Sequence, residues 1–268
     1  MRITEVNSPI LSAVKPESKM NKIISVRIFG VLMVTYGVLT GISVFLPQGV
    51  AGASIPSAPM PAPLFVMALI AAGVVLVAYG GLGALGLFCA RKLALPEIWD
   101  AAVSNRQRFI VPALAGLAVG VILILGDILF SPINGLGHFP HPPFPTSIVA
   151  ALAAGIGEEV LFRLFFISFW AWLISRVILR GRAQGFIYAA VSTFSAVVFG
   201  LSHLPSLMYL QHWTSMAQIP PTLLLELLSL NGLMALVAAF FFRKYGFLAP
   251  VGVHFWADVV WHVIWGVL

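Results

Sequence analysis

The chain has 268 residues, 60% of them hydrophobic and only 9% charged, where soluble domains carry about 25% charged residues. With a mean hydropathy of +1.01 it cannot cover its own surface with polar groups in water, which excludes a soluble globular protein and makes lipid its solvent. The net charge of +6 does not point to nucleic acid, because all of the 15 Lys and Arg except Arg163 lie before the first apolar run or in short gaps between runs.

Residues 1–22 are polar and mixed in charge, so they read as a cytoplasmic tail and not as a secretory signal. A helix needs about 20 apolar residues to cross the hydrocarbon core. Seven runs reach that length: 28–46, 64–89, 109–130, 147–175, 184–203, 221–242 and 247–267. With no water to satisfy open strands, each run is predicted to be helical. The expected fold is an all-α polytopic transmembrane bundle of about seven spans, with the tail 1–22 followed by one transmembrane domain, 23–268. No internal repeat or long linker divides it, and the single cysteine, Cys89, excludes an intramolecular disulfide.

The gaps alternate in character. The tail, 91–108, 176–183 and Arg243–Lys244 hold the bases, whereas 47–63, 131–146 and 204–220 hold no Lys or Arg and are rich in Pro and Gly. Cytoplasmic loops are the ones that carry Lys and Arg, so the N-terminus is expected inside and the C-terminus outside.

Five acids fall inside predicted spans: Asp127, Glu158, Glu159, Glu226 and Asp258, joined by Arg163, His203, His254 and His262. Ionisable groups at membrane depth are expensive and mark functional sites. Glu159 and Arg163 are four apart and share a helix face, which leaves Glu158 about 100° round the helix without a local partner. His254 and Asp258 share a face in the last run, and Phe199 and His203 in the fifth. Asp127 and Glu226 have no patterned partner and are expected to make helix–helix hydrogen bonds or line a pore. Asn231, Ser192 and Thr193 are expected to bond between helices. His138, His141 and His212 are expected to be solvated loop residues, and Phe255, Trp256, Trp261 and Trp265 a lipid-facing or packing surface.

The set Glu158-Glu159-Val160-Leu161-Phe162-Arg163, Phe199-Gly200-Leu201-Ser202-His203 and His254-Phe255-Trp256-Ala257-Asp258, in this order and each in an apolar run, resembles the three motifs of the CPBP family. These are the type II CAAX prenyl endopeptidases and their Abi, or bacteriocin-processing, relatives, and the likeness covers about 147–268. It implies a membrane-embedded protease, in a prokaryotic cell membrane, acting on a membrane-associated peptide or protein that carries a lipid in some members. The prenyl endopeptidases proper have Asn at the last motif position, where this chain has the Asp258 of prokaryotic variants.

A buried carboxylate becomes a general base when its pKa is brought toward neutrality, and Glu158 suits that role. His203 is expected to share the water, Glu159–Arg163 to hold the helix, and His254 to bond the oxyanion with Asp258 orienting its ring. The competing scheme places a divalent metal such as zinc on Glu158, His203 and His254, although no HExxH is present. A rival from another class is a non-catalytic or proton-coupled protein: a transporter, immunity factor or scaffold. Straight upright helices, however, would hold His203 near the outer end of its span and both Glu158 and His254 much deeper.

Overall fold

The computed structural model of the chain describes residues 19–49 and 62–268. Most of the tail 1–22 and of the gap 47–63 therefore lies outside the described residues. Those residues form only helices and connections. In chain order the helices are α1 (Lys19–Ser43), α2 (Leu64–Lys92), α3 (Arg106–Phe130), α4 (Thr146–Ile178), α5 (Gln184–Leu201), α6 (Leu204–Leu210), α7 (Pro221–Tyr245) and α8 (248–264). Six stretches are long and apolar enough to cross a membrane, with α5 and α6 forming one of them, Gln184–Leu210. The seventh run is also helical, with eleven α-helical residues, then six in wider π-helical turns and three in a closing 3-10 turn, Trp265–Val267.

The molecule is turned inside out relative to a soluble domain. Large apolar side chains such as Val77, Leu129 and Phe186 are the exposed ones, while Asp127, Glu159, Arg163 and Glu226 are buried. Helix α8 sits in the middle, packed on α3, α4 and α7. Glycines let these backbones approach: a Cβ on Gly116 or Gly120 of α3 would strike the backbone of α8 at Val253 or Ala257, and Gly155 of α4 faces α8 at Val251 and Phe255. Gly86 of α2 lies on the backbone of Leu164 and Phe165 in α4 in the same way. Lipid gives helices no hydrophobic reason to associate, so close packing over small residues is what binds them.

The two ends of the bundle differ. At one end Arg91 grips Glu97 through two hydrogen bonds of 2.6 and 3.0 Å, and Arg108 stacks 3.8 Å over Trp99. Gly246 turns α7 into α8 there at φ +80°, which a side chain rarely adopts. At the other end the Lys- and Arg-free connections are tied together: Thr146 donates to the Pro47 carbonyl and Thr222 to that of Ile133.

Candidate active site

Two helices widen at the point where their acids stand. In α4 the α-helical turns end at Glu159 and π-helical turns run over Val160–Ile167. In α8 they end at Asp258, with π-helical turns over Val259–Ile264. Such widenings recur at functional sites because they re-aim the side chains beyond them. Helix α5 ends at Leu201, and the turn through Ser202 and His203 leads directly into α6.

Depth is resolved by the true helix lengths. The fifth stretch continues to Leu210, so His203 lies about 11 Å below its end rather than at the surface. Helix α4 begins at Thr146, which puts Glu158 about 18 Å down. The helical run that holds His254 continues through Trp265–Val267, about 20 Å beyond it. The expectation that upright helices would separate the three came largely from ending the fifth span at His203.

Glu158, His203, His254 and Asp258 all line one cavity of about 350 Å³. It lies at the Lys- and Arg-free end, where Gln48, Phe139–Pro142 and Ser206 complete its walls. Glu159 and Arg163 stand behind that wall, fully buried.

His254 is the centre of the arrangement. Its Nδ1 is 2.8 Å from Glu159 Oε1, and Nε2 is 3.5 Å from Asp258 and 3.8 Å from Glu158. A carboxylate accepts, so Nδ1 carries the hydrogen and Nε2 faces the cavity. His203 is fixed alike: its Nδ1 donates to the Phe199 carbonyl at 2.9 Å, which leaves Nε2 free. Glu158 is 38% exposed where its neighbour Glu159 is wholly covered, so the two adjacent carboxylates have different surroundings. The Phe199 ring ties the group together, with the Arg163 guanidinium 4.7 Å from its centroid, His203 at 5.1 Å and His254 at 6.0 Å.

The Glu159–Arg163 pair closes at 3.1 Å but lacks the alignment of a hydrogen bond, and Nε and both terminal nitrogens of Arg163 have no hydrogen-bond partner among the described residues. Glu159 thus serves His254 at least as well as it serves Arg163. This contact spans 95 positions, and no spacing rule signals it.

Other expectations need correction. His138 is not merely solvated: its Nδ1 is 2.5 Å from buried Asp127, which also accepts from the Phe139 amide and from Trp265 Nε1. His141 lines the cavity with its Nδ1 3.1 Å from that of His262. Trp261 is a cavity wall rather than a lipid-facing surface. Thr193 and Asn231 bond to carbonyls of their own helices, not to neighbours. Asp127 and Glu226, expected to bond between helices or line a pore, bond instead mainly to the connection 131–145, at Asn134, His138 and Phe139, and Glu226 also lines the cavity.

No curated protein and no solved structure matches the chain. Residues 139–260 match a family model described as type II CAAX prenyl endopeptidase Rce1-like, a stretch that takes in all three motifs and begins at the connection forming the cavity wall. Over residues 139–260 this polytopic helical membrane protein is therefore similar to the Rce1-like type II CAAX prenyl endopeptidases.

Proposed function

We propose that the chain is an intramembrane endopeptidase that hydrolyses a peptide bond in a membrane-associated substrate with a water activated by Glu158. The observation that carries this reading is the convergence of Glu158, His203, His254 and Asp258 from three helical stretches on one cavity. Glu158 takes a proton from the water, whose oxygen attacks the carbonyl carbon of the scissile bond. The carbonyl oxygen becomes an oxyanion that accepts a hydrogen bond from Nε2–H of His254, acting as an imidazolium balanced by Glu159 and Asp258. Collapse breaks the C–N bond, and the proton on Glu158 passes to the leaving nitrogen. Glu159 and Asp258 orient His254, while Arg163 answers the buried charge of Glu159.

The side chains present include types that bind zinc, but no three of the described His, Cys, Asp and Glu residues are grouped so as to share one ion. The reaction proposed for these residues has no metal step. Elemental analysis of purified protein showing stoichiometric zinc, lost in His203→Ala and in His254→Ala, would overturn that part.

The cavity opens at the end whose connections lack Lys and Arg. By the positive-inside rule we place the N-terminus in the cytoplasm and the cavity on the outer side of a prokaryotic cell membrane, reached by substrates from that side or from the bilayer. A lipidated peptide suits the cavity, whose apolar walls include Leu123, Leu207, Leu227 and Leu230. The test is cleavage of a library of membrane-anchored peptides by the protein in vesicles. Glu158→Gln should lower the rate by about a thousandfold or more at unchanged expression. Full activity in that variant would remove Glu158 from the reaction.

A further inference from the structure

Glu226 lies one turn and a half into α7, fully buried, and it lines the same cavity. Its Oε2 accepts a 2.7 Å hydrogen bond from Asn134 Nδ2. Asn134 has nothing more to give: its Oδ1 takes the Leu136 and Gly137 amides, and its Nδ2 also reaches the Gly137 carbonyl. The carboxylate is thereby fixed through one oxygen, and the other, Oε1, is buried without a partner. A buried acceptor left unmatched is costly, so its presence asks for a donor that arrives from elsewhere.

The cavity itself offers no cation free to fill that place. No Lys or Arg lines it, and the amides of Gln48 and Asn231 already donate to nearby carbonyls. His203 and His254 are anchored at Phe199 and Glu159, and His141 and His262 face each other. His138 is held by Asp127.

Distance along the wall fixes which part of a ligand would reach Glu226. Glu226, Leu230 and Met234 stand on one face of α7 and all line the cavity. Met234 packs in the same apolar cluster as Phe199, whose ring adjoins His254. Glu226 is about 12 Å along the helix from Met234, a length that roughly three to four residues of extended peptide cover. We propose that Glu226 is a specificity-determining residue that receives a cationic side chain, Lys or Arg, of the peptide bound in the cavity. The cation stands three to four residues from the bond that is cut, and this last placement rests on the hydrolytic reading above.

The test is equilibrium binding to the full chain carrying Glu158→Gln, in lipid nanodiscs at neutral pH. The probes are fluorescent, N-myristoylated peptides made in pairs that differ only by Lys or Gln at one position, with that position scanned along the peptide. At one position the Lys peptide should bind about tenfold tighter or more. The ratio should collapse toward one when Glu226→Gln is added, and Glu226→Lys should turn the preference toward a Glu peptide. Each ratio compares two peptides on one preparation, so partial misfolding of a variant cancels. Equal binding of Lys and Gln peptides at every position, no binding of any peptide, or a preference that survives Glu226→Gln would overturn the proposal. Cleavage of the same peptides by the chain with Glu158 intact is scored separately. A Glu226-dependent preference without cleavage would sink the hydrolytic reading and leave Glu226 as a cation acceptor.

Discussion

The partners of Glu159 and Arg163 are unequal in number, and that asymmetry has a measurable consequence. Glu159 faces two groups, Arg163 at 3.1 Å and His254 at 2.8 Å. Among the described residues Arg163 has Glu159 as its ion-pair partner and packs on the face of Phe199, and both members of the pair are essentially shielded from solvent. Glu159→Leu strands a guanidinium with no anion, and stranding one charge of a buried pair costs about 3–5 kcal/mol. Arg163→Met leaves Glu159 still accepting from His254, removes a charge and keeps much of the volume over Phe199. Its cost should be about 1–2 kcal/mol. Adding Arg163→Met to Glu159→Leu should then recover about 2 kcal/mol, because the double variant contains no stranded charge. Denaturant unfolding in detergent micelles, followed by tryptophan fluorescence, gives all three values. Equal costs for the two single variants, or a double variant whose cost is their sum, would refute this account of the pair.

Three further outcomes are expected. Gly116→Val places side-chain atoms where the Val253 carbonyl now lies; it should cost about 1–3 kcal/mol and lower the yield of folded protein, and wild-type stability would count against the α3–α8 contact. Asp127→Ala removes the acceptor shared by His138, Phe139 and Trp265, and should cost about 1–3 kcal/mol while exposing 131–145 to added protease before the rest of the chain. Burial, and then the facing His262, push the His141 imidazole from 6.5 down to about 4, against the opposing pull of Asp127. Protonation therefore favours the released loop: its hold is whole above about pH 6.5 and weakens as pH falls toward about 4. Hydrogen exchange over 131–145 should rise across that window and flatten in His141→Phe; a loop that loosens instead as pH rises would refute the sign.

What was legible in the chain was whatever is local or statistical. Seven apolar runs and the segregation of Lys and Arg predict the helices and their alternation, because the bilayer leaves the backbone no other choice. The pairs Glu159–Arg163 and His254–Asp258 follow from the turn of a helix. Helix α1, by contrast, begins at Lys19, well before the apolar run at 28, because Lys19, Lys22 and Arg27 are helix formers that hydropathy ignores. The contacts that assemble the cavity are of another kind. Glu159–His254, Asn134–Glu226 and His141–His262 join residues 95, 92 and 121 positions apart, and nothing in either partner's neighbourhood names the other.

The length of the fifth helical stretch also decided more about the site than any motif residue. Ser202 and His203 read as a helix end because the apolar run stops there, yet Leu204, Leu207 and Leu210 continue one face beyond them as α6. Leu204 and Leu207 bury against Leu223 and Leu227 of α7, so packing keeps the chain helical past the break that hydropathy indicates. That extra stretch lowers His203 by about 11 Å, to within reach of a cavity that Glu158 and His254 enter from other helices. The position of the His203 imidazole is thus set by an apolar contact several residues away. Leu223→Asp, placing a charge in that contact from α7 and outside the cavity wall, should therefore, on the hydrolytic reading proposed above, abolish peptide cleavage as completely as His203→Ala should. It should also lower stability, which His203→Ala should not. A Leu223→Asp variant with normal cleavage would show that His203 keeps its depth without that contact.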